Sequence, residues 1–174
     1  MLDNAFCQLR AISWLPEPVV LSAAALSWLA EQNSLTKRFM RHCQRLSVSV
    51  QREEFILCEA IQEERHLLPL CSRYWLREVI LSGDGQAWLA ARTVIPESTL
   101  SGPEEKLRYS GNTPLGQALF SSPALTRDFI EYGQAASLWA RRSRLCLSGK
   151  PLLLTELFLP DAPLYRDLLI EESV

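Results

Sequence analysis

The chain has 174 residues, 48% hydrophobic and 22% charged, which suits one folded domain with a sizeable core and excludes a disordered polymer. A net charge of −2 and a pI near 5.8 argue against gripping nucleic acid by bulk electrostatics. No run approaches the roughly 20 apolar residues that cross a bilayer, so no membrane span is expected.

The opening MLDNAFCQLRAISWLPEP carries an early acid and lacks the basic start and long apolar run of a secretory leader. VVLSAAALSWLAEQ (19–32), with Pro18 just ahead of it, predicts a helix with a wide apolar face. Ser34 is placed to cap a short helix, LTKRFMRHC, that turns Leu35, Phe39 and Met40 inward. LSVSVQ (46–51) alternates like a half-buried strand, and REEFILCEA (52–60) reads as its antiparallel neighbour.

RYWLREVIL (73–81) and QAWLAARTVI (86–95) flank Ser82-Gly83-Asp84-Gly85 and predict a hairpin whose two glycines take positive φ. SGPEEKL (101–107) and TPLGQALF (113–120) each place Pro at a first helical position, with Thr113 as a cap before Pro114. LTRDFIEYG (125–133) reads as a helix stopped by Gly133. A last hairpin pairs RRSRLCLS (141–148) with PLLLTELFL (151–159) across Ser148-Gly149-Lys150, ahead of an acidic tail. Strands joined by tight turns, with helices before and between them, predict a single α+β domain over 1–174 built on an antiparallel sheet.

Cys7, Cys43, Cys58, Cys71 and Cys146 are odd in number and form no CxxC pair. With only His42 and His66 beside them, both read as exposed, there is no zinc set, and reduced thiols in the cytoplasm are expected.

Two charges break the apolar pattern. In GKPLLLTELFLP (149–160), Glu156 lies between Leu154 and Phe158 on one strand face, while Leu153, Thr155, Leu157 and Leu159 occupy the other. In RYWLREVIL, Arg77 shares a face with Trp75, Val79 and Leu81. A buried guanidinium needs an anion, and a buried carboxylate needs a partner, a proton or a ligand. One explanation is an Arg77–Glu156 salt bridge. The other is a closed pocket for a small ring, with Arg77 gripping a carboxylate bidentately and Glu156 facing a hydroxyl, each charge-assisted bond giving about 1.5–3 kcal/mol. Periodicity leaves both open.

The segments NSLTKRF (33–39), SRYWLREVIL (72–81), LAARTVIPESTLSGPE (89–104), GNTPLGQALF (111–120), LTRDFIEYG (125–133) and WARRSRLCLSGKPLLLTELFLPDAPLY (139–165) together resemble bacterial chorismate lyase. The resemblance covers most of the chain; residues 166–174 fall outside it. It implies an antiparallel sheet with helices and loops closing over an internal site. It implies an enzyme without cofactor or metal that removes pyruvate from chorismate to leave 4-hydroxybenzoate, the opening step of ubiquinone biosynthesis. By the same resemblance Arg77 holds the product carboxylate, Glu156 meets its hydroxyl, and Leu115 offers a backbone contact. The fourth contact falls on Leu35, where family members often carry methionine. Arg77 and Glu156 are the catalytic candidates, with Glu156 either accepting from the ring hydroxyl or donating to the departing ether.

The substrate's second carboxylate calls for another cation, for which Arg92 and Lys150 are candidates against a plainer reading as solvated strand-edge charges. Arg141, Arg142 and Arg144 alternate across two faces of a strand and read as sheet surface rather than a nucleic-acid patch. A dry site with two polar ends predicts product inhibition, with residues 35–45 as the lid. Two other readings stand beside the enzyme: a ligand-sensing domain of the same fold, and a structural protein with a buried ion pair. No interface pattern stands out, so a monomer is expected.

Overall fold

Two-residue turns set the sheet. In the computed structural model, which describes residues 2–17 and 19–173, Asp84 and Gly85 take φ of 48° and 85° between strands β3 (Arg73–Gly83) and β4 (Gln86–Pro96). The turn therefore needs one glycine, not two. Gly83 has a different role: a Cβ there would lie 2.1 Å from the Trp88 ring, so its missing side chain makes room for that indole. Ser148 and Gly149, at φ 53° and 74°, close the second expected hairpin, between β6 (Leu138–Leu147) and β7 (Lys150–Phe158).

The remaining strands are β1 (Ser13–Trp14), β2 (Leu46–Leu57) and β5 (Leu125–Ala135). All neighbours pair antiparallel in one seven-stranded sheet ordered β1-β5-β6-β7-β4-β3-β2. Two expectations fail here. Residues 46–60 are not a hairpin: 46–57 run as one edge strand along β3, with Gln51 bulged out between Val50 and Arg52. Residues 125–133 are strand, not helix, because Arg127 to Ala135 find their backbone partners on β6.

The helices are short. They are α1 (Leu2–Arg10), α2 (Ala23–Leu29), α3 (Leu35–Phe39), α4 (Leu115–Phe120) and α5 (Pro163–Glu172). The helix expected over 19–32 begins only after Ser22, whose hydroxyl accepts from Ala25 N–H at 3.2 Å; Pro18 lies outside the described residues. Ser34 occupies the cap position of α3 but its hydroxyl bonds nothing, and Met40 points outward rather than in. Pro114, not Thr113, precedes α4, and residues 102–109 wind as a 3-10 helix. The acidic tail becomes α5, docked on α2 through Trp28 Nε1–H, which donates to Asp167 at 2.7 Å.

Both sheet faces are covered, so the central strands β3, β4 and β7 read as nearly continuous apolar runs. One face, carrying Trp75, Val79, Leu81, Leu89, Leu154 and Phe158, packs under α2, α3 and α4. On the other, Ile80, Ala90, Leu157 and Leu159 meet α1. Near the far end Tyr74, Leu76 and Val94 meet Ile61, Leu67 and Leu68.

Candidate functional site

Strand period places Arg77 and Glu156 on the helix-covered face, one strand apart from each other. Arg77 on β3 is paired with Thr93 on β4, and Thr93 with Leu154 on β7; Glu156 sits two residues further on, opposite Ala91. That offset is roughly 10 Å across the strands and roughly 7 Å along them. It is too far for a direct bond, so the Arg77–Glu156 salt bridge is not formed. Both side chains instead line one cavity.

The cavity measures about 40 Å³. Ala91, Thr93 and Val79 line it from the sheet, and it is bounded also by Leu35 and Thr36 of α3 and by Leu115 and Phe120 of α4. All four residues expected at a site (Leu35, Arg77, Leu115 and Glu156) are thus brought to one hollow. The cover is two helices where the sequence suggested one: a Cβ on Gly116 of α4 would lie 3.7 Å from Thr36 Oγ1 and 3.9 Å from Ser34 Oγ. Phe39 anchors α3, fully buried against Trp28, Trp88 and Phe158 with ring centroids 5.5–6.3 Å away.

Each charge has its own protein partners. Arg77, 1% exposed, donates from Nη1 to Glu53 at 2.5 Å and from Nη2 to the carbonyls of Gly111 (2.5 Å) and Thr113 (3.1 Å). Its Nε–H is buried and bonds nothing. Glu156, 5% exposed, accepts from Arg141 Nε at 2.6 Å. An acid already paired with a guanidinium is suited to accept a further hydrogen bond, not to give one.

Arg141 is the residue that sequence reasoning misjudged. It is 0% exposed and Arg142 is also buried, so these two are interior, not sheet surface, while Arg144 is partly exposed and bonded to Asp128. Helix α2 and the segment after it cover Arg141, whose Nη1 donates to the carbonyls of Leu29 (3.2 Å) and Glu31 (2.9 Å). The usable signal was register: the turn at Ser148-Gly149 sets Arg141 directly across from Glu156.

Arg92 and Lys150 do not reach the cavity. Arg92 projects from the opposite sheet face, bonded to Glu64 (3.0 Å) and Glu78 (2.7 Å), beside a separate hollow of about 260 Å³. Burial lowers its pKa, but those two carboxylates outweigh the effect and the net shift is upward. It is a buried network residue, not a solvated charge. Lys150 bonds Glu104 at 2.7 Å and the Ser101 carbonyl at 2.8 Å, by the second hairpin turn. His42 and His66 are exposed, as expected, and all five cysteines are free thiols. No helix of the described residues is long and apolar enough to cross a membrane.

A model of the family described as chorismate lyase matches residues 8–170. A chorismate pyruvate-lyase of Erwinia tasmaniensis is 58% identical over 174 residues, spanning 99% of this chain and 100% of its own. One from Citrobacter koseri is 56% identical over 165 residues, 95% of this chain and 100% of its own. Among solved structures, a gene product of Staphylococcus aureus covers 79% of this chain and 91% of its own, at 14% identity and a TM-score of 0.49.

Proposed function

The chain belongs to the chorismate lyase family and is a lyase; from that premise we propose that it eliminates pyruvate from chorismate to give 4-hydroxybenzoate, with the cavity between Arg77 and Glu156 as its active site. The observation that carries this is the placement of one buried cation and one buried acid at opposite ends of a single apolar hollow.

Chorismate carries a ring carboxylate, a ring hydroxyl on the carbon opposite it, and an enolpyruvyl ether on the carbon next to that hydroxyl. Elimination breaks the ether C–O bond and the C–H bond of the hydroxyl-bearing carbon. The new ring double bond completes aromaticity, and the proton ends on the enolpyruvyl carbon as pyruvate forms. Aromatisation supplies the driving force, so the protein's contribution is orientation and charge stabilisation. Arg77 offers its free Nε–H to the ring carboxylate. A two-bonded grip also uses one N–H of Nη2, which must then leave the Gly111 or the Thr113 carbonyl just ahead of α4. Arrival of the carboxylate therefore pulls on the segment that leads to Leu115. Glu156, held by Arg141, accepts from the ring hydroxyl and fixes the reacting carbons against the Ala91 side of the sheet.

An aromatic ring occupies a cavity of roughly 150 Å³, so the hollow must enlarge and its cover must part for ring exchange. Product release is then slow and 4-hydroxybenzoate inhibits. The free thiols support placing the enzyme in the cytoplasm, and the role at the opening of ubiquinone biosynthesis follows from the product.

Mixing purified protein with chorismate while following 4-hydroxybenzoate absorbance and pyruvate tests this. Turnover that falls when 4-hydroxybenzoate is added at the start supports the proposal. Binding without turnover would make the chain a sensor, and neither would leave a structural role.

A further inference from the structure

The enolpyruvyl arm of chorismate ends in a carboxylate of its own, and Arg77 at the far end of the ring cannot serve it. We propose that Arg127, Arg141 and the Ser34 hydroxyl form the subsite that holds this second carboxylate. The assignment rests on the reading of Arg77 and Glu156 as the two poles of the ring site. With the ring hydroxyl at Glu156, the neighbouring carbon, and the arm it carries, also lies at the Glu156 end.

Two guanidiniums meet there around one neutral oxygen. Arg141 Nη1 and Arg127 Nη1 donate to the same Glu31 carbonyl, at 2.9 and 3.3 Å, and Arg127 also reaches Gln32 Oε1 at 3.0 Å. Arg141 Nη2 and both Nε and Nη2 of Arg127 are buried and bond nothing among the described residues. Ser34 Oγ, on the cavity wall, is likewise buried and without a partner. Buried donors of this kind are rarely left open; Ser34 lines the hollow itself, while Arg141 borders it through Glu156 and Arg127 through Phe120, so the four donors fit an absent anion.

The charge balance agrees. Arg127 and Arg141 face the single carboxylate of Glu156, leaving one positive charge for one further carboxylate. The Glu31 carboxylate is turned to Arg38, at 3.6 Å. Burial first, and then the adjacent Arg141, hold the Arg127 pKa below its ordinary value against the opposing pull of Glu156 and Glu31. Arg127 also stacks over Phe120, 5.6 Å from the ring centroid, and Phe120 lines the cavity. Outside Ser34 and Phe120 lies a depression of about 230 Å³ bearing Lys37, Arg38 and Arg41, a cationic approach for a dianion.

The test compares two stable aromatic ligands by calorimetry: 4-hydroxybenzoate, and 3-(carboxymethoxy)-4-hydroxybenzoate, which adds a carboxylate on a short ether beside the hydroxyl. The wild-type protein should bind the dianion roughly tenfold or more tightly than the monoanion. Arg127→Met should abolish most of that preference and lower kcat/KM for chorismate by about 10–100-fold, while changing 4-hydroxybenzoate affinity less than about threefold. Arg127→Lys, which keeps the charge and is the safer variant for folding, should retain an intermediate preference. Equal wild-type affinities for the two ligands, or equal weakening of both by Arg127→Met, would overturn the subsite and leave the ring site standing. Failure of the wild-type protein to bind 4-hydroxybenzoate would overturn both.

Discussion

The carboxylate of Glu156 is only 5% exposed, yet its charge is balanced by Arg141 at 2.6 Å, and that pairing separates two roles the residue type alone permits. A neutral acid would donate to the departing ether oxygen; in the proposed mechanism the paired carboxylate orients the hydroxyl instead. Glu156→Gln keeps the shape and removes the charge, leaving Arg141 buried without a counterion. It should cost about 2–3 kcal/mol of stability and lower kcat/KM by about two orders of magnitude. Urea unfolding and initial rates measure the two effects separately, and normal values of both would remove Glu156 from the mechanism. Arg77 and Glu156 were legible in the sequence because each interrupts a clean two-residue alternation. Arg141 was not, because in a run of arginines every face carries a charge and burial depends on a helix and the segment after it, some 110 residues earlier in the chain, from which Leu29 and Glu31 supply its carbonyl partners.

Among the elements, the tight hairpins were readable because Asp84-Gly85 and Ser148-Gly149 carry their φ values locally. The edge strands were not. In β2 the bulge at Gln51 breaks the alternation, and the polar run QREE looks like a turn; in β5 the spacing of Leu125, Phe129 and Ile130 imitates a helix until β6 supplies its partners. Helix α5, past the recognisable pattern, has a visible task. The Glu171 carboxylate accepts from Ala23 N–H (2.9 Å) and Ala24 N–H (3.1 Å), capping α2 from 147 residues away. The Ser22 hydroxyl and these amides hold the Glu171 pKa below the usual carboxylate value. A depressed folded-state pKa means that this stabilisation is present above the unfolded-state pKa and is lost as pH falls through the folded one. Glu171→Gln should therefore lower Tm at pH 7, and the gap from wild type should close on acidification below the carboxylate range. A gap independent of pH would show that the charge is not what matters.

At the scale of the molecule, a sheet covered on both faces uses one side for a charged network around Arg92 and the other for a hollow with a cation at one end and an acid at the other. The fold class and the family follow from pattern and motif; that Arg77 and Glu156 share one face of the sheet follows from the register of β3, β4 and β7. The absence of a bond between the two charges follows from the strand β4 that separates them. In the proposed mechanism the two-part cover of α3 and α4 opens together with the carboxylate pole, because the Arg77 bonds to Gly111 and Thr113 tie Arg77 to the segment before α4. A crystal structure with 4-hydroxybenzoate tests this most directly. The account predicts the ring inside an enlarged cavity, its carboxylate on Arg77 with at least one of the Gly111 and Thr113 contacts released, and its hydroxyl on a Glu156 still bonded to Arg141. A ring lodged elsewhere, with Arg77 still bonded to Glu53, Gly111 and Thr113 and the hollow unchanged, would contradict it.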